Sequence, residues 1–367
     1  MNARIRTLKT VLLCMGMLGL WSTGHCQDRQ YGIFDDYNDL RGANTLGVLQ
    51  WGMGGVRTAL ESQGGMTIYT PAGMAWDVPP LISAEFDIRT PFPRENDYAI
   101  AESQTLFLPR WVGMLFPKGP MRFGFGYAVP YGHRRVYQTP SIKYEHTLVE
   151  HRIVAPIAWR FAPQWSVGVS IGLSITSWKE KQDGSDTENS ATGMGFASAL
   201  HMQWKPRPDI IIGVEAQPPI TVTGDSEFNA VSFSEEWKRP LEARIGVQTK
   251  WARFRVAADV FFRQYSELDN WMVDRGQMTD DQWGSAMGIE LPIAGAKWRF
   301  GGQVETDPVN GSDQLSILIT TGLGWCLGGM NIQTALVDSH SSPDEYLRAT
   351  RFLLGFEILA PEPYDNN

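Results

Sequence analysis

Along most of this chain, apolar residues alternate with small or polar ones. In "QWSVGVSIGLSITSW", Gln164 to Trp178, one face carries Trp165, Val167, Val169, Ile171, Leu173 and Ile175, and the other carries Ser166, Gly168, Ser170, Gly172, Ser174 and Thr176. "ARFRVAADVFFR", Ala252 to Arg263, sets Phe254, Val256, Ala258, Val260 and Phe262 against Arg253, Arg255, Asp259 and Arg263. "MRFGFGYAVPY" sets Met121, Phe123, Phe125, Tyr127 and Val129 against Arg122, Gly124, Gly126 and Ala128. A period of two predicts strands with two unlike faces. Fourteen segments follow this reading: 80–90, 105–116, 120–131, 147–162, 164–178, 192–205, 208–221, 239–251, 252–264, 282–291, 294–305, 313–325, 327–338 and 346–359. At about 10–14 residues, they suit tilted membrane-spanning strands better than ordinary ones.

The connections strengthen the picture. "PKGP", "APQ", "KPRP", "KW", "PIA" and "CL" are tight, and they alternate with longer polar stretches such as "KEKQDGSDTENSA" and "SELDNWMVDRGQMTDD". An even strand number, with short turns at one end and long loops at the other, predicts an all-β fold: an antiparallel transmembrane β-barrel of about fourteen strands. Tryptophans gather near the segment ends, Trp159, Trp165, Trp204, Trp251 and Trp325 at one and Trp178, Trp271 and Trp283 at the other, as interfacial girdles do. In the last segment Phe352, Leu354, Phe356 and Ile358 share the outward face, and "APEPYDNN" follows it. The chain divides into a signal peptide (1–26), an N-terminal plug (27–78), the barrel (79–360) and a short tail (361–367).

Export is written in the first residues. Arg4, Arg6 and Lys9 precede the apolar run Val11 to Trp21, which is too short to span a bilayer. Cleavage fits after Gly24 or after Cys26. A lipoprotein reading would acylate Cys26, but His25 fits that cleavage poorly. The net charge of −8 gives no basic footprint for nucleic acid. Three cysteines, Cys14, Cys26 and Cys326, provide neither a disulfide framework nor a thiolate metal site. No cofactor is expected.

Residues 27–78 do not alternate. Their Gly-rich part holds Trp51, Met53, Met66, Tyr69, Met74 and Trp76, which would be badly exposed in water. Folding inside the barrel would bury them. Here the residues resemble the FadL-type outer-membrane transporters of long-chain fatty acids and other hydrophobic compounds. "GMGG" (Gly52 to Gly55) and "ALESQGGMTIYTPAGMA" look like that family's hatch, with Thr70 where the family usually has Asn. "RFGFGYAVPYG", "IAWRFAPQWSVGVSIGL", "IIIGVEAQPPITVTGD" and "EARIGVQTKWARFRVAADVFFRQYSELD" continue the resemblance over most of the chain. It implies passive uptake through a hatch-gated barrel, with an apolar pocket beside the hatch. Met66, Tyr69, Thr70, Pro71, Ala72, Gly73, Met74 and Trp76 are its candidate lining. Implied partners are a hydrophobic ligand, outer-membrane lipid and lipopolysaccharide, and the barrel-assembly machinery. Stretches 179–191 and 222–238 are short, polar loops in this reading, where the family carries an apolar capture groove.

Arg122, Glu215, Glu242, Arg244, Arg253, Arg255 and Asp259 fall on lumen-facing positions. They can tie the hatch to the wall or receive a carboxylate head group. The reading favoured for most of them is that they satisfy one another. "GVSIG" around Ser170 matches a hydrolase nucleophile pattern, but it lies inside a strand where that motif needs a strand–turn–helix elbow. His146 and His151 fall on opposite faces of a strand, which builds no metal site. The alternatives to a transporter are a general diffusion porin or structural barrel without a dedicated ligand, and a hydrolase using Ser170.

Overall fold

In lipid every backbone N–H and C=O must find a partner within the protein, so alternating strands that cross a bilayer have to close into a ring. The computed structural model describes residues 46–61, 64–76, 78–91, 94–96, 99–102, 106–138, 143–182, 188–228, 231–266, 280–306, 315–339 and 349–359. The predicted signal peptide, residues 27–45, the tail and Trp271 lie outside them.

Fourteen wall strands are described. They are β1 (Leu81–Pro91), β2 (Leu106–Lys118), β3 (Met121–Gln138), β4 (Lys143–Ala162), β5 (Trp165–Gln182), β6 (Glu188–Arg207), β7 (Ile210–Gln217, continued by Ile220–Phe228), β8 (Val231–Arg239, continued by Glu242–Trp251), β9 (Phe254–Arg263), β10 (Gln282–Ile293), β11 (Ala296–Thr306), β12 (Leu315–Leu327), β13 (Met330–Asp338) and β14 (Ala349–Leu359). Each pairs antiparallel with its neighbour, and β1 pairs with β14 from Leu81↔Leu359 to Pro91↔Ala349, which closes the barrel. Short pieces at Arg94–Asn96 and Ala99–Glu102 extend β1 and β2.

The two faces separate as the alternation requires. Val167, Ile171, Leu173, Ile245, Val260, Phe352 and Ile358 are exposed, as lipid-facing residues of a barrel are, while Ser166, Ser170, Ser174, Asp259 and Arg263 are buried in the lumen. Two details correct the sequence reading. Trp178 is buried, because its position continues the lumen face of β5 and does not belong to the outer girdle. In β3 the alternation stops, and Ala128 to Gly132 are buried in succession. The register against β4 slips between Ala128 and Tyr131, placing Val129 and Pro130 in a bulge where proline has no N–H for the ladder.

The expected loops are also shorter than their polar sequence suggested. Ile220–Phe228 and Val231–Arg239 form a paired hairpin that carries β7 and β8 on past Pro218, Pro219 and Pro240, so 222–238 is mainly strand. β5 and β6 likewise extend into 179–191. In these stretches the apolar–polar alternation that marks a strand in the sequence is lost while the backbone ladder continues.

Inside the wall lies the stretch Leu46 to Trp76. It holds a single helical turn, α1 (Val48–Gly52), and two 3-10 turns, Gly64–Ile68 and Pro71–Ala75. Among its described residues all but Glu61 are buried.

Candidate functional site

Glycines on the lumen faces make room for this inner stretch. A Cβ at Gly213 of β7 would fall on the Thr58 carbonyl. At Gly288 of β10 and Gly301 of β11, which stand opposite each other, it would strike the Met53–Gly54 backbone. At Gly322 of β12 it would meet Gly52, and at Gly168 of β5 it would meet Pro71 and Ala72. The small lumen-face residues of the alternating pattern are therefore seats for another piece of backbone.

Arg57 sits on these seats with its side chain wholly buried, a position that an unpaired guanidinium could not hold. It donates from Nε to Glu215 Oε2 (2.8 Å) and from Nη2 to Glu215 Oε1 (2.5 Å) and Glu242 Oε1 (2.8 Å). Glu242 also receives Arg244 (3.1 Å) and Arg263 (3.2 Å). Burial disfavours the Arg57 charge, but Glu215 and Glu242 outweigh it and hold the guanidinium above its ordinary ionisation range. Asp259 Oδ2 accepts the backbone N–H of Arg57 (2.8 Å) and of Thr58 (3.1 Å) together with the Thr58 hydroxyl (3.1 Å). Arg244 donates to the Gly55 carbonyl (3.2 Å). From β6, His201 Nε2 donates to the Thr58 carbonyl at 2.8 Å.

Gln203, next on the same face of β6, uses its whole amide. Its Nε2 donates to the carbonyls of Thr58 (2.9 Å) and Leu60 (2.8 Å), and its Oε1 accepts the Trp76 indole N–H (2.6 Å). One wall side chain thus clasps two parts of the inner stretch that are sixteen residues apart in sequence.

Gly64 to Trp76 is held differently, for it carries no charged side chain. Met66 packs with Leu49, Met53, Val56 and Leu60. Tyr69 packs with Leu46, Trp111, Ala128 and Val154 beneath the Arg57 guanidinium (4.5 Å), and its hydroxyl has no hydrogen-bond partner among the described residues. Burial pushes that phenol's pKa above its ordinary value and disfavours its ionisation, against the pull of nearby arginines. Thr70 turns its hydroxyl back to the Met66 carbonyl (3.1 Å), and its own carbonyl accepts the Gly73 N–H (3.1 Å). Thr70 thus closes its own turn, and Pro71 opens the next one, where a missing N–H costs nothing. Ala72 lies against Gly168, Met74 packs with Leu115 and Ala158, and Trp76 has the Lys205 ammonium 5.2 Å from its ring. The Gly65 N–H reaches Glu85 at 2.9 Å.

Of the seven lumen charges picked from the sequence, Glu215, Glu242, Arg244 and Asp259 touch residues 55–58 of the inner stretch. They also pair with one another, Arg244 with Glu242 and with Asp259. Arg255 lies between Glu61 (3.8 Å) and Glu290 (3.7 Å). Arg122 donates to the Gly119 and Met121 carbonyls at the β2–β3 turn. Arg253 is a correction. It is exposed in the turn between β8 and β9, because that hairpin turns at Ala252–Arg253 and the strand begins only at Phe254. His201, Gln203 and Glu85 were missed. They stand on lumen positions, but nothing in a strand's own pattern says which polar residue will meet a distant backbone. Ser170 sits mid-strand in β5, opposite Pro156 and Ala199, with no elbow around it. His151 bonds to the Tyr127 hydroxyl (2.5 Å).

No protein-family model and no curated protein matches this sequence. Solved structures do match its fold. The toluene transporter TbuX of Ralstonia pickettii superposes with a TM-score of 0.69 at 15% identity, over 87% of this chain and 100% of that one. The toluene transporter TodX of Pseudomonas putida gives 0.64 at 13% identity, over 86% and 97%. A FadL homologue of Pseudomonas aeruginosa gives 0.64 at 12%, over 85% and 97%. At such identities the likeness is one of fold: this chain shares the barrel architecture of those two transporters and of the FadL homologue.

Proposed function

From that shared architecture we propose that this chain takes up small hydrophobic or amphipathic molecules passively across the outer membrane, long-chain fatty acids and aromatic hydrocarbons being the classes to test. Residues 27–78 act as its hatch. The observation that carries this reading is the division within the inner stretch. Residues 52–60 are pinned to the wall by backbone seats and buried ion pairs, whereas Gly64 to Trp76, though seated on Gly168 and bonded to Glu85 and Gln203, carries no charge and makes no ion pair. A solute that displaces the second part breaks those few hydrogen bonds and otherwise exchanges one apolar contact for another, at about 25 cal/mol per Å² of surface kept from water. Displacing the first part would strand buried charges.

The β3 bulge supports a sideways exit. It removes ladder bonds from the wall beside Tyr69, whose neighbours Trp111, Ala128 and Val154 belong to β2, β3 and β4. A solute leaving there would enter the membrane without crossing water.

A strain lacking the gene is expected to lose uptake of a labelled long-chain fatty acid or aromatic hydrocarbon and to regain it with the intact gene. Unchanged uptake over a chemically broad panel would sink the proposal.

A further inference from the structure

The six tight turns at one end of the barrel differ in charge from the rest of the molecule. Lys118 stands in the β2–β3 turn, Arg207 in β6–β7, Lys250 and Arg253 in β8–β9, and Lys297 in β10–β11, and all five are exposed. The turns contain a single carboxylate, Asp209, which pairs with Arg207 at 2.8 Å, so the rim stays net positive through Lys118, Lys250, Arg253 and Lys297. The chain as a whole is acidic, with a net charge of −8. The excess of carboxylates falls in connections of the opposite end: "SELDNWMVDRGQMTDD" has Glu267, Asp269, Asp274, Asp280 and Asp281 against Arg275. Bacterial barrels keep their short turns on the periplasmic side, so the cations form a periplasmic rim.

The rim lies just below a belt of aromatic residues. Trp159, Trp204, Trp251, Trp298 and Trp325 are exposed on the outer surface within a few residues of the same turns, and Trp165 stacks on Trp204 at 5.4 Å. Indoles of this kind settle at the headgroup level. Cations immediately beyond that level lie within a Debye length of the lipid phosphates.

We propose that this rim binds the headgroups of anionic phospholipids in the periplasmic leaflet and so fixes the depth and tilt of the barrel. The partner is a lipid because the tryptophan belt places the cations at the membrane surface. A soluble polyanion would not need that registration. The proposal is independent of what the barrel transports.

The test uses the full-length protein in neutral detergent micelles, titrated with phosphatidylglycerol or phosphatidylcholine of equal chain length, with retained lipid counted by native mass spectrometry. The comparison variant carries Lys118→Gln, Arg207→Gln, Arg253→Gln and Lys297→Gln, and leaves Lys250, which pairs with Glu61 (3.5 Å), in place. The intact protein is expected to prefer phosphatidylglycerol by about tenfold or more, since cations beside an anionic surface attract it. That preference should fall as salt is raised and should disappear in the variant. Equal retention of the two lipids, or a preference that survives in the variant, overturns the proposal. So does a short soluble polyanion, polyglutamate, that binds the rim while phosphatidylglycerol does not. If the fourfold variant fails to fold, as judged by loss of its heat-modifiable band, Lys118→Gln and Lys297→Gln singly should each lower the preference severalfold.

Discussion

At the scale of single residues, Arg57 has the largest consequence. Its guanidinium supplies the cation that Glu215 faces at 2.5 Å, while Glu242 keeps Arg244 and Arg263. Arg57→Met should therefore leave Glu215 as a buried, undercompensated charge and cost about 3–5 kcal/mol. The measurement is the temperature at which the folded band on a gel gives way to the unfolded one, and it should fall clearly. Arg57→Met combined with Glu215→Gln should recover part of the loss. Arg57→Lys should recover little, because an ammonium cannot reproduce the two-pronged contact. Thr70, which stood out in the sequence as a replacement for Asn, turns out to satisfy its own turn, and the longer-range holding falls to Gln203 and His201.

At the scale of elements, the strand glycines carry information that composition alone did not. Gly213→Ala pushes a methyl group onto the Thr58 carbonyl and should loosen the inner stretch, at the roughly 1–3 kcal/mol typical of overpacking. Gly302→Ala is the control, for its Cβ would meet only the Leu318 carbonyl at 3.2 Å. Limited proteolysis of the folded barrels should cut the first variant faster within residues 46–76 and leave the second like the parent. The bulge in β3 invites a second comparison. Pro130→Val returns an N–H to the strand and favours a regular ladder with β4. If the bulge is the exit, this change should lower hydrocarbon uptake severalfold while heat-modifiability stays intact. Uptake at the parental rate would remove the exit from β3.

At the scale of the whole molecule, the barrel is a rigid ring around a stretch held unequally along its length. Gln203 joins the unequal parts, since the same amide holds Thr58 and Leu60 on one side and Trp76 on the other. Gln203→Leu keeps similar bulk but releases the Trp76 end and also the Leu60 carbonyl, while His201 still holds that of Thr58. Gating by the Gly64 to Trp76 part predicts a higher conductance or uptake rate in this variant, with a smaller fall in unfolding temperature than Arg57→Met causes. A variant that unfolds early without any gain in passage would make Gln203 a structural clamp only.

Much of this was legible in the chain. Fourteen strands, their approximate ends and the side each presents to lipid follow from a period of two, because a strand's side chains must alternate and a bilayer penalises the wrong face. Where polar residues fall on both faces that signal is lost, and the hairpin of Ile220–Phe228 and Val231–Arg239 reads as loop. Local pattern also failed at Val129, where a bulge turns consecutive residues inward, and at Arg253, where a hairpin turns one step later than expected. The inward charges of β7, β8 and β9 were visible one strand at a time. That Asp259 would receive two backbone amides of residues 57 and 58, and that Gly213 would lie beneath a carbonyl from 155 residues earlier, was decided only by closure of the ring. Alternation is a property of neighbours along the chain, whereas seats and ion pairs belong to positions that meet only when β1 finds β14.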